Sequence, residues 1–303
     1  MSADGLNNSD RKDLVSQVRG YLMRQDLIDW ISEIAPKHLN ATRLASVLLA
    51  TTTRNDTLLQ CTRASLVRSL VDSALCGLEI GVMGQAYLVP RWNDKLKANE
   101  ATMLPGYQGL CLLARQSGTV DDIRAELVYE ADEFEFVSGT ETWLRHVPNF
   151  VAANDDAQGQ LILAYMIARL PNGIMHPHVM TRARLNKIKT FALSKIKNQK
   201  YVAWILYEEE MQKKTVIRQG LKILANSPNI APLARAIALH DASEAGIPVP
   251  APSETELSPE AYRQLSNDLD ADLYYSTDDI GPDGEMSKAT RTEQLKQAQQ
   301  RRG

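Results

Sequence analysis

The sequence predicts an α+β fold in which a small antiparallel β-sheet is backed by helices, with a helical N-terminal lead-in and an acidic C-terminal tail. Two observations lead to this prediction. Short strand-like runs separated by turn residues are concentrated between residues 120 and 180, and helical periodicity is found on both sides of that region. The chain has 303 residues, of which 44% are hydrophobic, so it can bury a sizeable core.

Helical spacing dominates the N-terminal third. Apolar residues recur at helical spacing over residues 63–76, and Gly77 provides a natural C-terminal stop. A shorter helix is predicted around residues 44–48. Residues 85–91 then form a strand-like run, and the polar stretch that follows it suits a hairpin.

The middle of the chain alternates between strands and turns. Pro-Asn-Gly at 171–173 predicts a hairpin turn, and a short helix is predicted around residues 110–114. Thr181 is a candidate N-cap for a helix with an apolar stripe through residue 196, and a second helix is predicted over 201–225. The predicted strands cover residues 123–129, 134–137, 142–147, 161–170 and 174–180.

Changes in composition divide the chain into three predicted segments. Residues 1–36 form a helical N-terminal segment, and residues 37–242 form the core. Residues 243–303 begin with a linker rich in proline, serine and acidic residues and continue as an acidic tail. The tail has little apolar area to bury, so it is expected to be mostly flexible.

Composition and cysteine content restrict the class of protein. No run of residues approaches the roughly 20 apolar residues that a membrane-spanning helix needs, and the first residues lack the apolar core of a secretion signal. Cys61, Cys76 and Cys111 are an odd number at wide spacing, which argues against a disulfide framework. We expect a protein of a reducing, cytoplasmic setting without a membrane partner.

Motifs for nucleotide use and metal chemistry are absent from the sequence. It contains no GxxxxGK[ST] phosphate loop, no GxGxxG fingerprint and no Glu-x-Lys element of the common metal-dependent nucleases. His176 and His178 lie close together, but neither a cysteine nor a carboxylate stands at metal-ligand spacing from them. The sequence therefore predicts a protein that is not an enzyme, with no catalytic residues, no metal site and no cofactor.

The formal net charge of −3 conceals strong local charges. Residues 126–160 contain 1 basic and 8 acidic residues, whereas residues 161–226 contain 12 basic and 3 acidic residues. Such asymmetry points to a polyanionic partner. A solvated charged face without a ligand is the alternative that this pattern leaves open.

Two predicted helices carry most of this positive charge. Lys214, Arg218 and Lys222 recur at i, i+4 and i+8, beside Lys213, and form a ridge about two turns long. Two glutamates stand four residues before Lys213 and Lys214 and can pair with them, but Arg218 and Lys222 have no acidic residue at that spacing, which favours phosphate contact. The preceding helix region contains seven basic residues and no acidic one: Arg182, Arg184, Lys187, Lys189, Lys195, Lys197 and Lys200.

Aromatic side chains near these helices could stack on nucleobases. Tyr107, Tyr201 and Trp204 are the candidates. A place in the hydrophobic core is the alternative for each of them.

Six sequence motifs stand in order along the chain: GLEIGVMGQAYLVPR from Gly77, GYQGLCLLARQSGTV from Gly106, EADEFEF from Glu130, ARLPNG from Ala168, VMTRARL from Val179 and WILYEEEMQKKTVIR from Trp204. This series closely resembles the RecT family of phage and prophage single-strand annealing proteins. The resemblance implies a protein that binds single-stranded DNA and pairs it with a complementary strand without ATP. It also implies assembly into rings or helical filaments whose basic groove holds the annealed duplex, on a fold with a small β-sheet backed by helices.

The resemblance also implies partners and site residues. Family members work beside a 5′→3′ exonuclease, and a host single-strand-binding protein is a second expected partner. The second motif implies roles for Tyr107, Gln108 and Arg115, and the last motif implies roles for residues of its KKT-x-x-R element. Together with the charge pattern, this gives a predicted DNA-contact set of Arg91, Tyr107, Gln108, Arg115, Arg182, Lys189, Lys195, Lys197, Lys200, Lys213, Lys214, Arg218 and Lys222.

Two other functions stay open on the residues alone. A protein that coats and protects single strands without pairing them would carry the same basic surface. A small-substrate enzyme could use the acidic residues Asp132, Glu133 and Glu135, although solvated charges on an edge strand are the simpler interpretation.

Overall fold

The computed structural model describes residues 7–94, 96–150, 155–194, 203–224 and 230–245. These residues form two compact units, one with residues up to 82 together with 86–104, and one with residues 83–85 together with 105–245. Helices and small sheets make up the fold, so the predicted α+β class is confirmed. Among the described helices, none combines the length and the hydropathy that crossing a membrane requires.

Helices build most of the first unit. The predicted helical lead-in is present as two helices, which pack on the third, and a two-stranded sheet follows the helices. The elements are α1 (Asn8–Leu22), α2 (Gln25–Ile34), α3 (Ala41–Thr53), α4 (Asp56–Leu59), α5 (Arg63–Cys76), β1 (Ala86–Asn93) and β2 (Ala98–Pro105).

Helix α5 is the buried centre of the first unit and has the predicted bounds. The Thr62 side chain caps its first turn, and Gly77 ends it in the left-handed conformation at φ 71°. Ser65 and Ser69 join α5 to β2: the Ala101 amide donates to Ser65 Oγ at 2.8 Å, and Ser69 Oγ donates to the Ala101 carbonyl at 3.2 Å. These bonds satisfy polar groups that would otherwise be buried without a partner.

The second unit contains the remaining strands and the basic helices. All five strands predicted between residues 120 and 180 are present, with bounds that differ by one or two residues. The elements are α6 (Tyr107–Gln116), β3 (Asp122–Tyr129), β4 (Glu133–Val137), β5 (Trp143–Val147), α7 (Asp155–Gln158), β6 (Leu161–Arg169), β7 (Met175–Thr181), α8 (Arg182–Ser194), α9 (Ala203–Leu206), α10 (Glu208–Leu224) and α11 (Ala231–Ala245).

Strand β6 is the centre of a three-stranded antiparallel sheet, between β3 and β7. Helix α10 packs on the face that carries Met166. A Cβ atom on Gly220 would stand 2.8 Å from both Cγ and Sδ of Met166, so this close approach requires a glycine. Ala164 and Ala168 lie on the same face and are fully buried. Their small side chains allow the helix to approach the sheet closely.

The β4–β5 hairpin covers the opposite face of this sheet. Successive side chains of a strand point to opposite faces, so Tyr165 points away from Met166. The Phe134 ring lies 5.8 Å from the Tyr165 ring and 5.9 Å from the His146 ring. His146 Nδ1 is 3.1 Å from the Tyr165 hydroxyl oxygen. The sheet therefore lies between α10 and the hairpin.

The structure corrects the prediction of one helix over residues 201–225. Among the described residues, α9 ends at Leu206 and α10 begins at Glu208. Three consecutive glutamates from Glu208 explain the new start, because acidic side chains are stabilised at the positive end of the helix dipole.

Two further features differ from the sequence prediction. Helix α11 was not predicted; its buried residues lie on most of its sides, from Leu233 to Ser243, so it lacks the apolar stripe that marks an amphipathic helix. The strands form three separate small sheets. Of the predicted segment 243–303, only the first three residues are described, and they belong to α11.

Candidate nucleic-acid interface

The outer side of α8 carries cations that have no acidic partner among the described residues. Arg184, Lys187 and Phe191 recur at helical spacing and are exposed, with Phe191 at 52%. We call these three residues the α8 stripe. No salt bridge joins Arg184 or Lys187 to another described residue, so their charge is available to an anion.

Two predicted contact residues on α8 already have polar partners. Arg182 donates to the Gln160 side chain at the start of β6. Lys189 Nζ is 2.5 Å from a carboxylate oxygen of Glu208, at the start of α10, and its side chain is only 26% exposed. Lys195, Lys197 and Lys200 lie outside the described residues.

The predicted ridge on α10 faces another helix. Arg218 is 4% exposed, and its Nη1 is 3.0 Å from His240 Nδ1 and 3.1 Å from Asp241 Oδ1 on α11. Lys222 Nζ is 2.6 Å from the other oxygen of Asp241. Arg218 and Lys222 have no acidic residue at i, i+4 spacing on their own helix, as the sequence shows, but Asp241 on α11 pairs with both.

The charges around His240 explain its protonation state. Burial lowers the pKa of His240 well below its ordinary value, and the positive charges of Lys214, Arg218 and Lys222 lower it further. His240 is therefore neutral at pH 7. Arg218 and Lys222 of the ridge are part of the α10–α11 packing.

At the start of α10, the observed partners of Glu209 and Lys213 differ from the i, i+4 pair expected between them. Glu209 accepts a hydrogen bond from the Tyr129 hydroxyl of β3 at 2.6 Å. Lys213 Nζ lies 3.9 Å from a carboxylate oxygen of Glu126, also on β3, and its side chain is 30% exposed. These side chains thus join the helix to the sheet edge. The arrangement could not be predicted from spacing along the helix, because the partners are far apart in sequence.

Helix α6 carries three of the predicted contact residues. Gln108 is exposed, and its side-chain amide donates a hydrogen bond to the Tyr107 hydroxyl at 2.8 Å. Arg115 is 43% exposed and lies 3.4 Å from Asp122 Oδ1. Hydrogen bonds from Arg124 and from Arg115 keep the pKa of Asp122 below its ordinary value.

Strand β1, in the first unit, carries Arg91 and two exposed aromatic side chains. Arg91 is exposed, and Tyr87 and Trp92 are 52% and 57% exposed. Sequence analysis missed these two aromatics; the strand alternation could have indicated that Tyr87 faces solvent, and the polar stretch after Arg91 could have indicated the same for Trp92. Trp204, in contrast, is only 4% exposed, so the alternative of a place in the hydrophobic core holds for it, and Tyr201 lies outside the described residues.

The acidic residues considered for an enzyme have two different roles. Glu133 and Glu135 are exposed on β4, and Glu133 pairs with Arg145 at 3.3 Å. The side chain of Asp132 is only 4% exposed and accepts hydrogen bonds from the amides of Tyr129 and Asn149, both at 2.8 Å. Burial opposes its ionisation, but these bonds and His146 outweigh that effect and lower its pKa.

Asp132 therefore holds the hairpin in place. No group of three metal-ligating side chains is found among the described residues.

Comparisons with known proteins identify the family of this chain. The model of the RecT family matches residues 41–236, which include α3 to α10 and the start of α11. The chain is 32% identical over 218 residues to Protein RecT of Escherichia coli (strain K12), and this alignment covers 71% of the chain and 78% of that protein. The chain belongs to the RecT family of DNA recombination and annealing proteins.

Proposed function

We propose that the protein binds single-stranded DNA and anneals complementary strands without ATP, and that the α8 stripe contacts the DNA backbone. The observation that carries this proposal is the pair of exposed cations Arg184 and Lys187, which have no acidic partner among the described residues. Membership of the RecT family supports the same conclusion. The function requires no catalytic residue.

Annealing sets two physical requirements. The charge of two polyanions must be neutralised so that they can approach, and their bases must stay accessible so that pairing can be tested. Cations on a rigid helix meet the first requirement without sequence preference, because phosphates carry no sequence information. A groove that holds the first strand by its backbone meets the second, and Watson–Crick pairing then supplies the discrimination.

The proposed contact set changes where the structure gives a residue another role. Arg218 and Lys222 are removed from it, because Asp241 pairs with both and Arg218 is buried. The α8 stripe is added. The proposed DNA contacts are Arg91, Tyr107, Gln108, Arg115, Arg182, Arg184, Lys187, Lys189, Phe191, Lys213 and Lys214 among the described residues, together with Lys195, Lys197 and Lys200 outside them.

Pairing on this surface requires several protomers. Helix α8 has 13 residues and is therefore about 20 Å long, which is enough for only a few nucleotides. We propose a homo-oligomer, as a ring or helical filament in the bacterial cytoplasm, whose aligned basic surfaces hold the annealed duplex. A 5′→3′ exonuclease and a host single-strand-binding protein are the proposed partners.

A pairing assay tests this function. Two complementary dye-labelled oligonucleotides are mixed with the protein, without nucleotide or metal, and fast pairing is expected. In the variant Arg184→Gln with Lys187→Gln, the loss of two exposed contacts of about 0.7 kcal/mol each weakens DNA binding about tenfold and slows pairing. Lys12→Gln with Arg19→Gln is the matched control, because both residues are exposed on α1 and the same charge is removed.

Each outcome of the assay separates the candidate functions. Coating of the strands without pairing would support the protecting protein instead. Absence of binding would contradict both functions. Equal losses in the α8 variant and in the α1 control would show that net charge, rather than the α8 stripe, determines binding.

A further inference from the structure

Two of the tryptophans in the described part of the chain are exposed, and each lies on a strand of a β-hairpin. Trp92 on β1 is 57% exposed and Trp143 on β5 is 44% exposed, whereas Trp30 and Trp204 are buried. An exposed indole presents a large, rigid apolar surface that a ligand or another protein can cover. The surroundings of each indole decide which partner suits it.

The two hairpins differ in charge. Residues 86–99, which include Trp92, contain 3 basic residues and 1 acidic residue. Residues 133–147, which include Trp143, contain 1 basic residue and 3 acidic residues. A polyanion is therefore attracted to the hairpin that carries Trp92 and repelled by the hairpin that carries Trp143.

Side-chain hydrogen bonds fix the end of the hairpin formed by β1 and β2. The Asn93 side chain accepts a bond from the Leu96 amide at 3.2 Å and donates one to the Glu100 carboxylate at 2.7 Å. Glu100 also lies 3.5 Å from Arg68 of α5, so the charge of this carboxylate is paired within the first unit. The end of the hairpin therefore presents its other side chains from a braced backbone.

The indole of Trp92 is held by its edge. Its Nε1 donates a hydrogen bond to Asp94 Oδ1 at 3.1 Å, which satisfies the one polar group of the ring. Because Nε1 lies in the plane of the ring, the carboxylate stands at the ring edge and does not cover the ring face. Arg91 and Lys97, on either side of this pair in sequence, are exposed and outnumber the carboxylate.

A nucleobase is the ligand that suits an aromatic face among exposed cations. The base can stack on the indole while the adjoining phosphates meet the cations, and single-strand-binding proteins combine these two contacts. Stacking does not depend on the identity of the base, because every base has a π-face. It also leaves the Watson–Crick edge free, because the hydrogen-bonding groups of a base lie in the plane of its ring.

We propose that Trp92 stacks on a nucleobase of the first DNA strand and presents the Watson–Crick edge of that base for pairing. This inference rests on the proposed function, in which cations neutralise the phosphates and the bases must stay accessible. It adds a side chain that holds a base without blocking its pairing edge. Trp143, in the acidic hairpin, takes no part in DNA binding.

Tryptophan fluorescence of the full chain tests this contact, with an oligo(dT) too short for two protomers as the probe. Saturating oligo(dT) should quench part of the fluorescence of the wild type, because stacking on a base quenches an indole. The quenching should be lost in Trp92→Leu, and this variant should bind oligo(dT) about tenfold more weakly, which is the effect of losing one base–aromatic stack. Trp143→Leu is the matched control and should keep both the quenching and the affinity. Trp92→Phe retains an aromatic face and should keep most of the affinity.

An abasic oligonucleotide of the same length separates stacking from charge. It keeps every phosphate, so the wild type and Trp92→Leu should bind it equally well. The slope of log K against log salt for oligo(dT) should also be the same in the two proteins, because no phosphate contact is lost. A wild type that shows the quenching but does not pair complementary strands would count against the proposed function alone.

Three results would overturn the inference. One is that folded Trp92→Leu binds oligo(dT) as tightly as the wild type, and the second is that it loses as much affinity for the abasic oligonucleotide as for oligo(dT). The third is that Trp143→Leu and Trp92→Leu lose equal affinity. Loss of self-assembly in Trp92→Leu, with its affinity for the short oligo(dT) unchanged, would show that a protein surface covers the indole instead.

Discussion

Helices α8 and α10 each carry a pair of cations that look alike in sequence but have different surroundings. Arg184 and Lys187 on α8 are exposed and have no acidic partner among the described residues. Arg218 and Lys222 on α10 share the carboxylate of Asp241, and Arg218 is buried. The difference teaches that the charge of a helix predicts a ligand surface only after the elements packed against it are known.

The largest expected effect is on stability, in Arg218→Ala. The change leaves Asp241 and buried His240 without the guanidinium, and we expect a loss of about 3 kcal/mol in the free energy of unfolding, at the low end for a buried pair because Asp241 is partly exposed. Urea denaturation measures the loss. The control Arg184→Ala on α8 should change stability by no more than about 0.5 kcal/mol. Equal losses in the two variants would contradict the difference between the paired cations of α10 and the exposed cations of α8.

A second variant tests the close packing of α10 against the three-stranded sheet. Gly220→Leu places a side chain where Met166 already lies, and overpacking of this kind costs about 2 kcal/mol. Its counterpart on α8 is Thr190→Leu, at an exposed position, where we expect a change within about 0.5 kcal/mol. Thermal unfolding of both variants decides the comparison, and a Gly220→Leu protein as stable as the wild type would contradict the close packing.

The neutral state of His240 predicts a dependence of stability on pH. Its pKa in the folded protein is depressed, so its contribution to stability is complete above the ordinary value of about 6.5 and is lost as the pH falls from there toward the folded pKa. The slope from this one group reaches up to about 1.4 kcal/mol per pH unit. Denaturation of the wild type and of His240→Gln between pH 7.5 and 5.5 should show a shallower loss in the variant. Parallel curves would contradict the neutral state.

The smallest expected effect concerns the acidic tail. A protein that ends after Ala245 keeps all of α11, including buried Ser243 and its contact with α10, and should anneal oligonucleotides like the full chain. The pairing assay compares the two proteins. A shortened protein that folds but does not pair DNA would show that the annealing function extends past α11.

Local sequence patterns predicted most of the elements of this fold. Helix α5 and the strands of the second unit follow from short-range periodicity and from turn residues such as Gly77 and the Pro-Asn-Gly turn. Helix α11 was not predicted, because buried residues such as Leu233, Leu239 and Ala242 lie on different sides of the helix, which removes the periodic signal.

The candidate site was harder to predict, for a physical reason. Lysines and arginines signal an anion only if no carboxylate reaches them, and the carboxylate that pairs with Arg218 stands 23 residues away, on another helix. Likewise, Lys213 approaches Glu126 on a strand, and Trp204 is buried by the fold. Such contacts depend on tertiary packing, which spacing along one helix cannot encode.

The most direct test of this account is the salt dependence of single-stranded DNA binding in two double variants that remove equal charge. Arg184→Gln with Lys187→Gln should reduce the slope of log K against log salt by about 1.4, since each lost phosphate contact of a single strand contributes about 0.7. Arg218→Gln with Lys222→Gln, measured while folded, should leave the slope unchanged. Equal reductions in the two variants, or a reduction in the α10 variant alone, would contradict the assignment of DNA contact to the α8 stripe.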